Sequence, residues 1–130
     1  MGVVPVIGEH DGARITVRAM AGASVVRIIG DLDLAVATRL RTDLESAIAR
    51  CPWVIVDLRG IGAVDSLGLG VLLAARESAL RQAGDLLLAA APPFFRSVLR
   101  AARIDAVFTT FDTVPQAVTR ALAPRAAAGR

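Results

Sequence analysis

Apolar and polar positions change their period along this chain, and each period predicts an element. Ile15, Val17 and Ala19 alternate with Thr16, Arg18 and Met20, the two-residue period of a half-buried strand. Ala21-Gly22-Ala23 reads as a turn, and Val25 to Ile29 as the second arm of an antiparallel hairpin. Gly30-Asp31-Leu32-Asp33 breaks that strand. Ala37, Leu40, Leu44, Ala47 and Ile48 then form one apolar stripe, with Arg39, Thr42, Asp43, Glu45 and Arg50 mostly opposite. That spacing predicts a helix over 34–50, with Asp33 as its N-cap and Pro52 beyond its end.

Trp53 to Leu58 is almost wholly apolar, as a central parallel strand buried on both faces must be. A loop over 59–65 leads to a helix over 66–83, stopped by Gly84. Leu86 to Ala91 is a second buried strand. Pro92-Pro93 opens a helix to 102, 107–111 is a short edge strand, and Thr113-Val114-Pro115 starts a last helix through Leu122. A lead-in over 1–11 holds a short strand at 3–7, and a frayed tail over 124–130 closes the chain. The order β-β-α-β-α-β-α-(β)-α predicts one α/β domain over about 12–123. Its mixed sheet joins an N-terminal antiparallel hairpin to parallel βαβ units, with about four helices packed on it.

Composition narrows the function. The 130 residues suit one domain. At 55% hydrophobic they supply a full core. Aromatics are 4%, with no Tyr, too few for a base-stacking platform. One Cys and one His exclude a disulfide framework and a Cys/His zinc site. The net charge is +3, but all fifteen basic residues are Arg, scattered singly from Arg14 to Arg130. That is not the concentrated basic face of a nucleic-acid binder. No apolar stretch reaches the about 20 residues of a membrane span, and no secretory leader is legible. The expectation is a cytoplasmic protein, with neither membrane insertion nor direct nucleic-acid contact.

The topology brings three loops to one edge of the sheet. Strands that run parallel end together, so 30–34, 59–69 and 91–94 share the edge where open α/β sheets bind ligands and partners. The middle loop reads Val64-Asp65-Ser66-Leu67-Gly68-Leu69-Gly70-Val71. Ser66 stands at a helix entrance, where free N–H groups and the dipole favour an anion; a capping role for this serine competes with a phosphoacceptor role. Gly68 and Gly70 each weaken a helix by about 1 kcal/mol against Ala. The two glycines predict either tight helix–sheet packing or close approach by another molecule. Asp31 and Asp33 have no nearby His to complete an acid–base or metal site. Asp57 and Cys51 read as structural. Gly68-Leu69-Gly70 lacks the Lys-Ser/Thr of a phosphate-binding loop.

These residues carry a resemblance. Gly30-Asp31-Leu32-Asp33-Leu34, Val54 to Leu58, Asp65-Ser66-Leu67-Gly68-Leu69-Gly70 and Gly84 to Leu88 together resemble the STAS domain (sulfate transporter and anti-sigma factor antagonist) over about 12–123. The Asp-Ser-x-Gly-Leu-Gly segment is the specific part. Stand-alone members of this size are mostly bacterial anti-sigma factor antagonists. The resemblance implies a partner-switching regulator with no catalysis and no cofactor of its own. An anti-sigma factor with serine kinase activity, carrying ATP and Mg²⁺, would phosphorylate Ser66. The unphosphorylated form would hold that kinase and free sigma factor, and a serine phosphatase would reset the switch. Asp31, Asp33, Asp65, Ser66, Leu67, Gly68 and Leu69 are the implied partner-binding residues. Two positions depart from the family pattern: Leu67 replaces a common second Ser or Thr, and Asp31 a common Glu. The chain is expected to be a monomer or weak dimer. Two competing readings are a STAS subunit of a membrane transport complex without phospho-switching, and a weak nucleotide-binding domain.

Overall fold

The computed structural model describes residues 3–10 and 13–124. The ends of the expected lead-in and tail, residues 1–2, 11–12 and 125–130, lie outside them. Seven strands and four helices follow in the order β1 (Val3–His10), β2 (Ala13–Met20), β3 (Ala23–Leu32), α1 (Leu34–Arg50), β4 (Trp53–Asp57), β5 (Ile61–Val64), α2 (Ser66–Arg81), β6 (Asp85–Ala89), α3 (Pro93–Ala101), β7 (Thr110–Phe111) and α4 (Val114–Leu122). The sheet order is β1-β2-β3-β4-β6-β7. β1, β2 and β3 are antiparallel neighbours, and β3, β4, β6 and β7 run parallel. The expected mixed α/β sheet is therefore present.

The periods read from the sequence explain the layers. Ile15, Val17, Val26, Ile28, Val54, Val56, Leu86 and Leu88 point to one face. There they meet Leu40 and Leu44 of α1, Val71 and Leu72 of α2, and Phe95 and Leu99 of α3. The intervening Val25, Ile55, Leu87 and Ala89 point to the other face, against Ala117 and Ala121 of α4. β4 and β6 are thus buried on both sides, which is why they read as continuous apolar runs. Asp57 is the buried exception. Its carboxylate accepts from Arg27 Nε at 3.0 Å on the neighbouring strand and from the Arg59 amide at 3.0 Å, so it serves the sheet.

Several elements differ from the sequence expectation. β3 does not break at Gly30 but runs on to Leu32, where it pairs with β5. β6 ends at Ala89 rather than position 91, because Ala90 turns left-handed (φ 57°). β1 runs to His10 rather than position 7, and Pro5 is tolerated because β1 lies at the sheet's edge. β5 was expected as loop. It pairs with β3 beyond the end of β4, Gly30 opposite Ile61 and Leu32 opposite Val64. The edge strand over 107–111 shrinks to Thr110–Phe111, because Phe108 turns into the main core. Helix α2 stops at Arg81, and Ala83, not Gly84, takes the left-handed conformation (φ 66°). The Gly84 amide donates to Ala79 O at 2.8 Å, and Gly84 packs directly on the Pro52 carbonyl, where no side chain fits.

Candidate functional site

The three loops do share one edge, and β5 brings two of them into register. Leu32 and Val64 are paired residues on adjacent parallel strands. Each is followed at once by an aspartate that caps a helix. Asp33 Oδ1 accepts from the Val36 amide at 3.1 Å, and Asp65 Oδ1 accepts from the Gly68 amide at 3.0 Å. Helices α1 and α2 therefore start side by side, with their positive dipole ends adjacent. Asp31 adds a third carboxylate. Its Oδ1 accepts from the Ala63 amide at 2.9 Å and lies against Gly62, so β5 is tied to β3 through a side chain as well as the ladder. Gly30 (φ 98°) donates its amide to Gly60 O at 2.9 Å and lets β3 bend at this point.

Between these segments lies a shallow groove of about 160 Å³, lined by Asp31, Leu32, Asp33, Ala63, Val64 and Asp65. None of the three carboxylates is in an ion pair among the described residues. Nor do they converge on a point: among the described residues no three acidic, His or Cys side chains are placed to hold a metal ion. The groove is acidic and open, and each of its three carboxylates accepts from a backbone amide at its rim.

Ser66 is not the cap. Asp65 takes that role, which leaves Ser66 as the first helical residue, exposed, with no hydrogen bond to its hydroxyl among the described residues. Two capping residue types stand next to each other here, and the first of them reaches the Gly68 amide. The first amides of a helix have no partner inside it; with that of Gly68 taken, those of Ser66 and Leu67 are left for an outside acceptor.

The expected partner-binding residues divide by exposure. Asp31, Asp33, Asp65, Ser66 and Leu67 are exposed at the edge, Leu67 by 51%. Gly68 and Leu69 are buried, and they support the site from behind. A Cβ on Gly68 would lie 2.6 Å from Leu32 Cγ, so this glycine answers to internal packing. Gly70 is exposed, with nothing within 4 Å of where its Cβ would stand. Two side chains at the same edge went unnoticed in the sequence. Leu34 is 62% exposed at the start of α1, and Phe94 is 42% exposed at the start of α3. Leu34 lies off the apolar stripe of its helix, and Phe94 adjoins the fully buried Phe95, so one member of that pair had to turn outward.

Comparison with known proteins bears on the family and the fold. The model of the STAS domain matches residues 14–117. A relative named anti-sigma F factor antagonist, from Paenibacillus polymyxa, is 25% identical over 100 residues, 75% of this chain and 86% of that protein. The fold is similar to the anti-sigma factor antagonist SpoIIAA in its unphosphorylated form. There the TM-score is 0.73 at 21% identity, covering 82% of this chain and 94% of that one. It is similar to the Bacillus cell fate determinant SpoIIAA in the phosphorylated form as well, with TM-score 0.67 at 21% identity, over 82% and 97%. A sulfate transporter family protein from Wolinella succinogenes matches with TM-score 0.70 at 22% identity, over 79% and 87%. No helix among the described residues is long and apolar enough to cross a membrane. With a model match over most of its length and the Asp65-Ser66 corner formed, this chain belongs to the STAS domain family.

Proposed function

We propose that this chain is an anti-sigma factor antagonist that switches partners through Ser66. The carrying observation is the Ser66 hydroxyl: exposed, without a hydrogen bond among the described residues, and set at a helix entrance that Asp65 already caps. A hydroxyl in that position is free to act as an acceptor without loss of the fold. Support comes from the relative named anti-sigma F factor antagonist and from SpoIIAA, which is known in phosphorylated and unphosphorylated forms.

In this reading the partner is a kinase that brings ATP and Mg²⁺, and the chain itself catalyses nothing. Ser66 Oγ attacks the γ-phosphorus, its proton passes to a base of the kinase, and ADP leaves with the electrons of the broken P–O bond. A phosphatase later returns Ser66 and inorganic phosphate by hydrolysis. The phosphoserine carries nearly two negative charges. It joins Asp31, Asp33 and Asp65 on a face that must be desolvated on docking. Burying added like charge costs a few kcal/mol, and each 1.4 kcal/mol is tenfold in affinity. Exclusion from the interface therefore needs no change of fold. The cytoplasm, where sigma factors act, is the compartment this implies.

The test is a capture experiment from the native host with wild type, Ser66→Ala and Ser66→Glu as baits. Recovery of one kinase-fold protein by the first two and its loss with the third is expected, with phosphate mapped to Ser66. The likeness to a sulfate transporter family protein favours one other reading, a subunit of a transport complex. In that case all three baits recover the same membrane-associated partners.

A further inference from the structure

Among the described residues, five large apolar side chains are exposed by more than two-fifths: Leu34, Leu67, Leu80, Phe94 and Leu122. Three of the five stand in the first turns of α1, α2 and α3, at the carboxyl edge of the sheet. These helices lie on one face of the sheet and share one core. Leu34, Leu67 and Phe94 thus form a row along this edge, each at the entrance of a helix. None of the three belongs to either core, whereas Val114, in the first turn of α4, packs against the second one. The first turn of a helix favours Asp or Glu by about 0.3–1 kcal/mol, yet α1, α2 and α3, like α4, have no acidic residue there. At all three the position that favours charge carries a solvent-facing apolar side chain instead.

We infer that this row is the apolar centre of the docking surface, so that Leu34 and Phe94 bind the partner alongside Leu67 and Ser66. The inference rests on the proposed antagonist role and specifies the partner's face. That face is apolar where it meets the three side chains and basic where it meets Asp31, Asp33 and Asp65. A second copy of this chain is the wrong occupant. A two-fold contact through this edge would set the unpaired carboxylates of both copies against each other, and like charges across an interface are repelled.

The test titrates the anti-sigma factor recovered by the Ser66→Ala bait with Leu34→Ala and Phe94→Ala. Leu80→Ala and Leu122→Ala, equally exposed at the far ends of their helices, are the controls. Each edge variant should bind at least about tenfold more weakly, or ~1.4 kcal/mol, and each control as wild type, with all melting points alike. Asp31→Asn keeps the acceptor for Ala63 and should flatten the salt dependence of binding. Wild-type affinity in both edge variants, with Ser66→Glu still excluded, overturns this inference and leaves the antagonist role standing. Equal losses at the controls also overturn it. Absence of any anti-sigma factor partner for wild type overturns the antagonist role, and this inference with it.

Discussion

Leu32 and Gly68 touch so closely that a Cβ on the glycine would lie 2.6 Å from Leu32 Cγ. This contact seats the first turn of α2 on the end of β3 and so fixes where Ser66 stands. Gly68→Ala must push Leu32, itself 1% exposed, out of a filled core. Overpacking costs about 1–3 kcal/mol, and the better helix propensity of Ala recovers about 1. A net loss of stability up to about 2 kcal/mol is expected from urea denaturation. Gly70→Ala meets nothing within 4 Å and should gain up to about 1 kcal/mol. If the two substitutions act alike, the close approach does not govern this turn.

Ser66→Glu separates charge from folding. A carboxylate at the first position of α2 lies near the positive end of the helix dipole, which stabilises by about 0.3–1 kcal/mol. The variant should therefore melt at or slightly above wild type while losing the kinase-fold partner. A lowered melting point would mean that lost binding reflects damage to α2 rather than the added charge.

The parallel strands and all four helices were legible because their periods are strong: continuous apolar runs for β4 and β6, a 3.6-residue stripe for α1. The shared edge followed from topology alone; Asp31, Asp33, Asp65, Ser66 and Leu67 as partner-binding residues came with the resemblance to the STAS domain. β5 was not legible. Four residues that include Gly62 have no strand signal of their own, and they pair only because β3 continues past β4. The sequence offers Ser66 as the cap where Asp65 takes the role, since both side chains accept hydrogen bonds and only backbone position decides. Leu34 and Phe94 were missed because exposure of a large apolar residue is a tertiary fact. The sequence marks Gly84 as the helix stop, but the left-handed turn falls one residue earlier, at Ala83.

That displaced turn makes the third prediction. Ala83 has φ 66°, its amide donates to Leu80 O at 3.0 Å, and it is exposed. The left-handed region costs a residue with a Cβ roughly 1–2 kcal/mol, and glycine is the usual occupant of this position. Ala83→Gly should raise stability by about 0.5–1 kcal/mol, less than the full strain because glycine also gains freedom in the unfolded chain. Thermal unfolding checks it, with Gly84→Ala as the opposite case. The latter sets a methyl group on the Pro52 carbonyl and should destabilise markedly.

Asp43 supplies a pH dependence whose sign is fixed by its surroundings. It sits on α1 with Oδ2 buried and without a hydrogen-bond partner among the described residues. Burial pushes its carboxyl above the ordinary value of 3.8, while the Arg39 guanidinium pulls it partly back. The folded state thus holds this proton more tightly than the unfolded chain does. Below the ordinary carboxylate range the group is neutral in both states and costs nothing. As pH rises through that range and the folded value above it, the ionised group withdraws stability, and at neutral pH the full penalty remains. Asp43→Asn keeps the shape and removes the charge. It should be more stable than wild type at pH 7, by less than about 1 kcal/mol because the site is half open to solvent. The gap should close as pH falls below the ordinary carboxylate value. Urea midpoints of the two proteins at pH 3 and pH 7 decide the matter. A gap that widens toward acid would mean that Asp43 is stabilised as a carboxylate, with Arg39 outweighing burial.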